Sequence, residues 1–186
     1  MKKRKLVIVR GLVTSGKTTT SHELAKVLPG WIFIDIWKIK EMFEPLGLKD
    51  RTPLKTISKK TIALITKEVV RQMNINIILQ ESSQSLIKKS LGKDLEKYNY
   101  DVYSFFLDLD DKDVIKRDEQ REKPTMGLKK SVESGEFRTK RVKPEKGDFV
   151  INTSHNSIKD VVKIILNKIG EKPKKNPNSY KLRRSW

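Results

Sequence analysis

The chain has 186 residues, which indicates a single domain large enough to bury a core without disulfide bonds. It contains no cysteine and two histidines, so disulfides and cysteine-ligated zinc are excluded and a histidine-rich metal site is not expected. The net charge is +18, from 41 basic and 23 acidic residues, and such a surface attracts nucleotides, nucleic acids and other anions. A compositional bias toward lysine explains the same charge, and composition alone leaves both explanations open.

Five short apolar runs predict strands that are buried on both faces, because their apolar residues are continuous rather than alternating. In chain order these strands are 6–10, 31–35, 75–80, 102–108 and 148–152. Apolar residues at helical spacing, with proline or glycine at several ends, predict helices over 17–28, 36–44, 54–72, 83–97, 112–122 and 157–169. This alternation predicts an α/β three-layer sandwich, in which a five-stranded parallel sheet carries helices on both faces.

No stretch of the sequence approaches the roughly 20 apolar residues that a membrane span needs. The basic N-terminus continues directly into the first strand, without the apolar region and cleavage site of a signal peptide. We therefore expect a cytoplasmic protein with no membrane partner.

Residues 11–18 read GLVTSGKT and match every fixed position of the pattern G-x-x-x-x-G-K-[ST]. The pattern lies between a predicted strand and a predicted helix, as a phosphate-binding loop requires. In such a loop, backbone N–H groups and the helix N-terminus surround the phosphates, and glycine permits the close approach. The predicted nucleotide-binding residues are Gly11, Thr14, Ser15, Gly16, Lys17, Thr18 and Thr19.

Two side chains of this loop are suited to bind a nucleoside triphosphate and its metal ion. Lys17 reaches the β- and γ-phosphates as a point charge. The hydroxyl of Thr18 is placed to bind Mg²⁺. The expected cofactors are therefore ATP and Mg²⁺, although the loop by itself does not separate ATP from GTP. The sequence lacks the D-x-x-G and N-K-x-D motifs of a switch GTPase, which argues against that class.

Four segments of the chain resemble known enzymes: GLVTSGKT, FIDIWKIKEMF, FFLDLDDKDVIKRDEQREK and GDFVINTSHNSIKDVVKIIL. Together they resemble the small P-loop kinases of the adenylate-kinase-like superfamily, over about residues 6–169. The chain looks most like chloramphenicol phosphotransferases, zeta-toxin-like kinases and adenylylsulfate kinases. The resemblance implies a P-loop kinase domain over residues 1–170. Residues 171–186 contain two prolines, six basic residues and few apolar ones, so we expect a basic and flexible tail there.

The resemblance also implies roles for four residues outside the loop. Asp35, at the end of the second strand, occupies the position of an aspartate that orients or deprotonates the acceptor hydroxyl, and a helix cap is the alternative. Glu81 follows the third strand and would act on Mg²⁺ through water or contact the acceptor, with a cap again as the alternative. Arg117 and Arg121 share a helix face and correspond to lid arginines that close over the phosphates.

For both arginines, the alternative is a solvated ion pair with a neighbouring carboxylate such as Asp118. The sequence therefore predicts a phosphotransferase that moves the γ-phosphate of ATP to a hydroxyl of a small molecule. Two other functions stay open: a polynucleotide or tRNA kinase that uses the basic surface, and a nucleotide-binding module without catalysis. The acceptor and the oligomeric state are not predicted.

Overall fold

The computed structural model describes residues 3–43, 52–80, 84–122 and 124–174. Five parallel strands form one sheet in the order β2-β3-β1-β4-β5. The strands are β1 (Arg4–Gly11), β2 (Ile32–Asp35), β3 (Ile77–Gln80), β4 (Tyr100–Asp108) and β5 (Asp148–Asn152). The predicted parallel sheet is confirmed, and β1 and β4 begin two residues earlier than the apolar runs indicate.

Helices cover both faces of this sheet in the part of the chain that the structure describes. They are α1 (Lys17–Val27), α2 (Ile36–Glu41), α3 (Thr52–Gln72), α4 (Gln84–Lys97), α5 (Asp111–Glu119), α6 (Leu128–Glu133), α7 (Glu136–Lys140) and α8 (Ile158–Ile169). Alternate residues of β1 point to opposite faces. Leu6 and Ile8 pack with α2, α3 and α4, whereas Val7 and Val9 pack with α1 and α8. The predicted three-layer sandwich is therefore confirmed.

Helices α6 and α7 were not expected from the sequence. They have six and five residues, which is too short for a helical repeat of apolar residues to be recognised. Each follows a glycine in the left-handed conformation, Gly127 with φ 75° and Gly135 with φ 76°. Leu128 and Phe137 anchor the two helices in a third apolar cluster, together with Phe106 of β4.

The order of the strands brings the polar strand ends together at one edge of the sheet. From β1 the chain passes to β2 and β3 on one side, and β4 and β5 lie on the other side. The carboxyl end of β1 therefore lies at a topological switch point, where open α/β sheets bind their ligands. Gly11, Asp35, Gln80, Asp108 and Asn152 end the five strands at this edge.

A buried ion pair links β1 to β5 across the intervening strand β4. Arg10 is 1% exposed, and its guanidinium donates to the carboxylate of Asp148, whose side chain is fully buried. Asp148 also accepts from the Ser104 hydroxyl at 2.5 Å and from the backbone N–H of Glu145 at 2.6 Å. The Glu145 carboxylate lies 2.9 Å from Arg10. Because Arg10 precedes Gly11, this cluster supports the strand from which the loop departs.

Within the described ranges, no helix combines the length and the apolar character that crossing a bilayer requires. The predicted tail begins with residues 171–174, which the structure describes. Glu171 accepts a hydrogen bond from Lys5 at 2.5 Å, and the backbone N–H of Lys174 donates to Val27 at 2.9 Å. The remaining residues of the predicted tail, 175–186, lie outside the described residues.

Candidate functional site

The glycines of the phosphate-loop motif occupy positions that other residues do not fit. Gly11 has φ 139°, and a Cβ atom there would lie 2.1 Å from the carbonyl oxygen of Leu107 on the neighbouring strand. Gly16 has φ 85° and precedes α1 at its N-cap, where no side chain caps the helix. The chain thus turns sharply from strand to helix, and the first turn of α1 has no side-chain acceptor at its cap.

One carbonyl inside the loop gathers three donors. The oxygen of Leu12 accepts from the Ser15 hydroxyl at 2.8 Å, from the Ser15 backbone N–H at 3.3 Å and from the ammonium group of Lys17. Thr14 sits between them with φ 62°, in the left-handed region. These donors occupy the Leu12 carbonyl oxygen, which is thereby kept from repelling an anion at the loop.

Lys17 lies in a strongly positive environment. The pKa of Lys17 is lowered to about 8, mainly by burial and to a smaller extent by the nearby positive charges of Arg121 and Lys40. The positive charges of the loop, of the segment after α5 and of α2 are therefore near enough to repel one another. Their mutual repulsion is relieved when an anion binds among them, and a triphosphate supplies that charge.

Thr18 and Thr19 are exposed in the first turn of α1. The hydroxyl oxygen of Thr18 accepts a hydrogen bond of 3.0 Å from the side-chain amide of Gln80, at the end of β3. Gln80 is 1% exposed, and its amide oxygen has no hydrogen-bond partner among the described residues. The site thus holds an exposed hydroxyl suited to a hard cation, beside a buried polar atom that lacks a partner.

Asp35 caps the N-terminus of α2, since its carboxylate accepts from the backbone N–H of Trp37 at 2.9 Å. The capping role that the sequence left as an alternative is therefore present. The side chain is 9% exposed, and burial raises its pKa above the ordinary value for aspartate, although this hydrogen bond and the nearby His22 oppose the shift. One carboxylate oxygen takes the cap, so the second remains for another hydrogen bond.

Comparison with solved structures identifies the architecture. A kinase proposed for Chloroflexus aurantiacus superposes with a TM-score of 0.68 at 16% identity, over 89% of this chain and 98% of that one. The tunicamycin resistance protein of Deinococcus radiodurans superposes with a TM-score of 0.66 at 19% identity, over 92% of this chain and 98% of that one. The APS kinase of Mycobacterium tuberculosis, solved with AMPPNP and APS, superposes with a TM-score of 0.61 at 13% identity, over 92% of this chain and 100% of that one. This chain has the P-loop kinase fold.

Neither a protein-family profile nor a curated protein matches the sequence. At identities below 20% these superpositions establish the P-loop kinase fold and carry no residue roles. Those roles depend on the geometry of this chain.

The two arginines proposed as lid residues have different surroundings. Arg117 donates to the hydroxyl of Thr153 at 3.1 Å and to its carbonyl at 2.6 Å, so it fastens α5 to the turn after β5. Arg121 pairs with Asp118 at 3.2 Å, which is the ion pair that the sequence left as an alternative. Of the two, only Arg121 is close enough to lower the pKa of Lys17.

The predicted metal-site residue Glu81 lies outside the described residues. Two neighbours of the site were missed in the sequence. Lys40 lies on α2, with its ammonium group 4.3 Å above the ring of Trp37. Gln80 ends the run INIILQ, and a polar residue that closes a buried strand was the available signal. Lys40 had no such signal, because the sequence surrounds it with other charged residues.

Proposed function

We propose that this protein is an ATP- and Mg²⁺-dependent kinase that transfers the γ-phosphate to a hydroxyl group of a small molecule. We also propose residues 1–170 as its kinase domain. The observation that carries the proposal is the junction at the carboxyl edge of the sheet. Gln80 contacts Thr18 of the loop and is the register partner of Asp35, so the phosphate-binding loop and the capping carboxylate occupy adjacent positions.

The residues of the loop supply the nucleotide site. The loop N–H groups bind the phosphates, and Lys17 leaves the carbonyl of Leu12 to contact the β- and γ-phosphates. The loop residues Gly11, Thr14, Ser15 and Gly16, with Thr19 in the first turn of α1, complete the proposed nucleotide-binding set. Thr18 is the residue that would hold Mg²⁺, and a bound Mg²⁺ neutralises charge on the phosphate oxygens.

Asp35 supplies the acceptor side of the proposed reaction. Its second carboxylate oxygen accepts the proton of the acceptor hydroxyl, and the hydroxyl oxygen forms a bond to the γ-phosphorus. The bond between the γ-phosphorus and the bridging oxygen breaks, and ADP leaves with its electrons. The raised pKa suits this role, because a more basic carboxylate accepts a proton more readily. Arg121, with Lys17, stabilises the negative charge of the transition state, and Arg117 holds the neighbouring turn.

The test is transfer of labelled γ-phosphate from ATP in the presence of Mg²⁺. The acceptor panel contains small-molecule hydroxyl compounds, nucleosides, and RNA and DNA with free 5′-hydroxyl ends. Labelling of a small molecule supports the proposal. Labelling of a polynucleotide supports the alternative instead, a polynucleotide kinase that uses the basic surface. Lys17→Ala should abolish turnover in either case, and full activity of that variant would refute the phosphate site.

A binding assay separates the remaining alternative. If the protein binds ATP and labels nothing in the panel, the nucleotide-binding module without catalysis is the better description. Asp35→Asn is then the informative comparison, because asparagine keeps the helix cap and removes the base. A true kinase loses transfer in this variant and retains its affinity for ATP.

A further inference from the structure

A basic groove lies between α3 and α4, outside the proposed kinase site. It has a volume of about 490 Å³, and the described residues that line it include five cations and two carboxylates. The cations are Lys67 and Arg71 on α3, and Lys88, Lys89 and Lys93 on α4. The other lining residues are a serine and a glycine, so no apolar or aromatic side chain of the described residues lines the groove. This composition suits a polyanion that is held by charge.

The ends of the two helices place the groove away from the phosphate loop. α3 ends shortly before β3 begins, and α4 ends shortly before β4 begins, so both helices run toward the amino edge of the sheet. Lys67 and Arg71 belong to the last two turns of α3, which lie nearest that edge. The phosphate loop leaves the opposite, carboxyl edge. A ligand of the groove therefore does not compete with the nucleotide.

The cations form two walls that are joined to each other. Asp94 of α4 accepts a hydrogen bond of 2.9 Å from Arg71 and lies 3.7 Å from the ammonium group of Lys67. Lys67 and Arg71 are four residues apart on α3, and Lys89 and Lys93 are four residues apart on α4, which is about 6 Å along each helix axis. Cations that repeat along both walls can contact successive phosphates of one backbone.

The α4 wall keeps its cations available for a ligand. Lys88, Lys89 and Lys93 are exposed, and none of them forms an ion pair among the described residues. Gly92 lies beside them, and a Cβ atom there would have no described atom within 4 Å. Packing therefore does not require glycine at this position, although glycine weakens a helix interior. The missing side chain leaves room between the lysines for a phosphate group.

We propose that the groove between α3 and α4 binds the phosphate backbone of a double-stranded nucleic acid without reading its sequence. Lysine and arginine contacts to phosphates supply affinity, whereas sequence is read by contacts to the bases. Proteins that bind single strands stack the bases on aromatic side chains, and no described residue of the groove is aromatic. A lipid surface fits less well, since peripheral binding to a membrane also buries apolar side chains.

The experiment measures binding of a short fluorescein-labelled RNA duplex to the full chain, by fluorescence anisotropy at several salt concentrations. The groove variant combines Lys88→Gln, Lys89→Gln and Lys93→Gln. We expect its affinity at moderate salt to fall at least about tenfold. The slope of log affinity against log salt should become shallower by about three, because each lysine that contacts a phosphate contributes about one.

A matched variant separates the groove from the overall net charge of +18. It combines Lys159→Gln, Lys163→Gln and Lys168→Gln, which remove three exposed charges from α8 on the other face of the sheet. We expect its salt slope to change by less than about one. Equal losses in the two triple variants would show that the charge acts diffusely, and would overturn the inference.

Gly92→Gln tests the space between the lysines without changing the charge. We expect its affinity for the duplex to fall several-fold at an unchanged salt slope, while its melting temperature stays equal or rises because glutamine favours a helix. An affinity equal to that of the unchanged protein would contradict the close approach of a phosphate at Gly92. Thermal unfolding checks that each variant is folded, and all of them should bind AMPPNP as the unchanged protein does.

Two comparison ligands test the identity of the partner. A single strand of the same RNA should bind more weakly than the duplex, and a preference for the single strand would overturn the proposed partner. Vesicles of phosphatidylserine and phosphatidylcholine supply anionic lipid headgroups. If the groove variant loses binding to these vesicles and keeps its binding to the duplex, the groove serves a membrane instead. Absence of duplex binding by the unchanged protein at low salt also overturns the inference.

Discussion

The affinity for ATP should fall as the pH rises from 7 to 9, because Lys17 must be charged to contact the phosphates. Burial lowers the pKa of Lys17 to about 8 in the absence of ligand. A bound triphosphate favours the ammonium form of Lys17 and raises its pKa again. ATP binding therefore takes up a proton in those molecules whose Lys17 amine is neutral before binding. From a pKa of about 8, roughly 90% of the free protein carries the charge at pH 7 and roughly 10% at pH 9. The expected loss of affinity is therefore about tenfold.

Titration calorimetry in two buffers with different ionisation enthalpies measures both quantities. At pH 8 the binding reaction should take up about half a proton, and at pH 7 about a tenth. Lys17→Arg is the matched control, because the guanidinium stays charged at all of these pH values and its affinity should not change over this range. An affinity of the unchanged protein that is constant between pH 7 and 9, with no proton uptake, would refute the reasoning.

Three further predictions concern the base, the buried ion pair and the loop. Asp35→Asn should lower the transfer rate by about 10²–10⁴-fold, while the melting temperature and the affinity for ATP stay nearly unchanged because the cap survives. Arg10→Met should lower the free energy of unfolding in urea by roughly 3–5 kcal/mol, because it leaves the Asp148 carboxylate buried without its charge partner. The double variant with Asp148→Leu should recover much of this loss, and additive losses would contradict the pairing. Gly11→Ala should cost at least about 2 kcal/mol in the same urea experiment, since its Cβ would meet the Leu107 carbonyl, and an unchanged midpoint would show that the strand accommodates it.

The sheet was predictable because buried parallel strands leave a local signature. Each strand is a short apolar run, and its length and position depend on residues next to one another in the chain. The predicted bounds are wrong, and short helices are missed, where the run or repeat of apolar residues is absent. Arg4 and Lys5 belong to β1 although they are charged, because they pair with β4 at its first residues. Similarly, α6 and α7 are held by Leu128 and Phe137 in a tertiary cluster and not by a repeating pattern.

The candidate site shows the same division. The loop residues could be identified from the spacing of glycine, lysine and threonine, because a phosphate is bound mainly by the backbone of one continuous segment. The surroundings of Lys17 depend on Arg121 and Lys40, which are far from it in the sequence. The sequence predicts Arg117 and Arg121 on one helix face, but this prediction is wrong because α5 ends at Glu119 and Arg121 lies beyond it. Arg117 contacts Thr153, and Arg121 contacts Asp118. Which partner each arginine has is a property of the neighbouring elements.

The class of the fold and the position of the phosphate loop can be predicted from the amino-acid sequence, since both follow from local patterns of burial and backbone conformation. Three features depend on the packing of distant elements: Gln80 contacts Thr18 and pairs in register with Asp35, the charges of Arg121 and Lys40 lower the pKa of Lys17, and Asp35 is both a cap and a buried acid. The physical reason is that pKa values and hydrogen-bond partners depend on distance in space. That distance is set by the order of the strands, which no local pattern in the chain records.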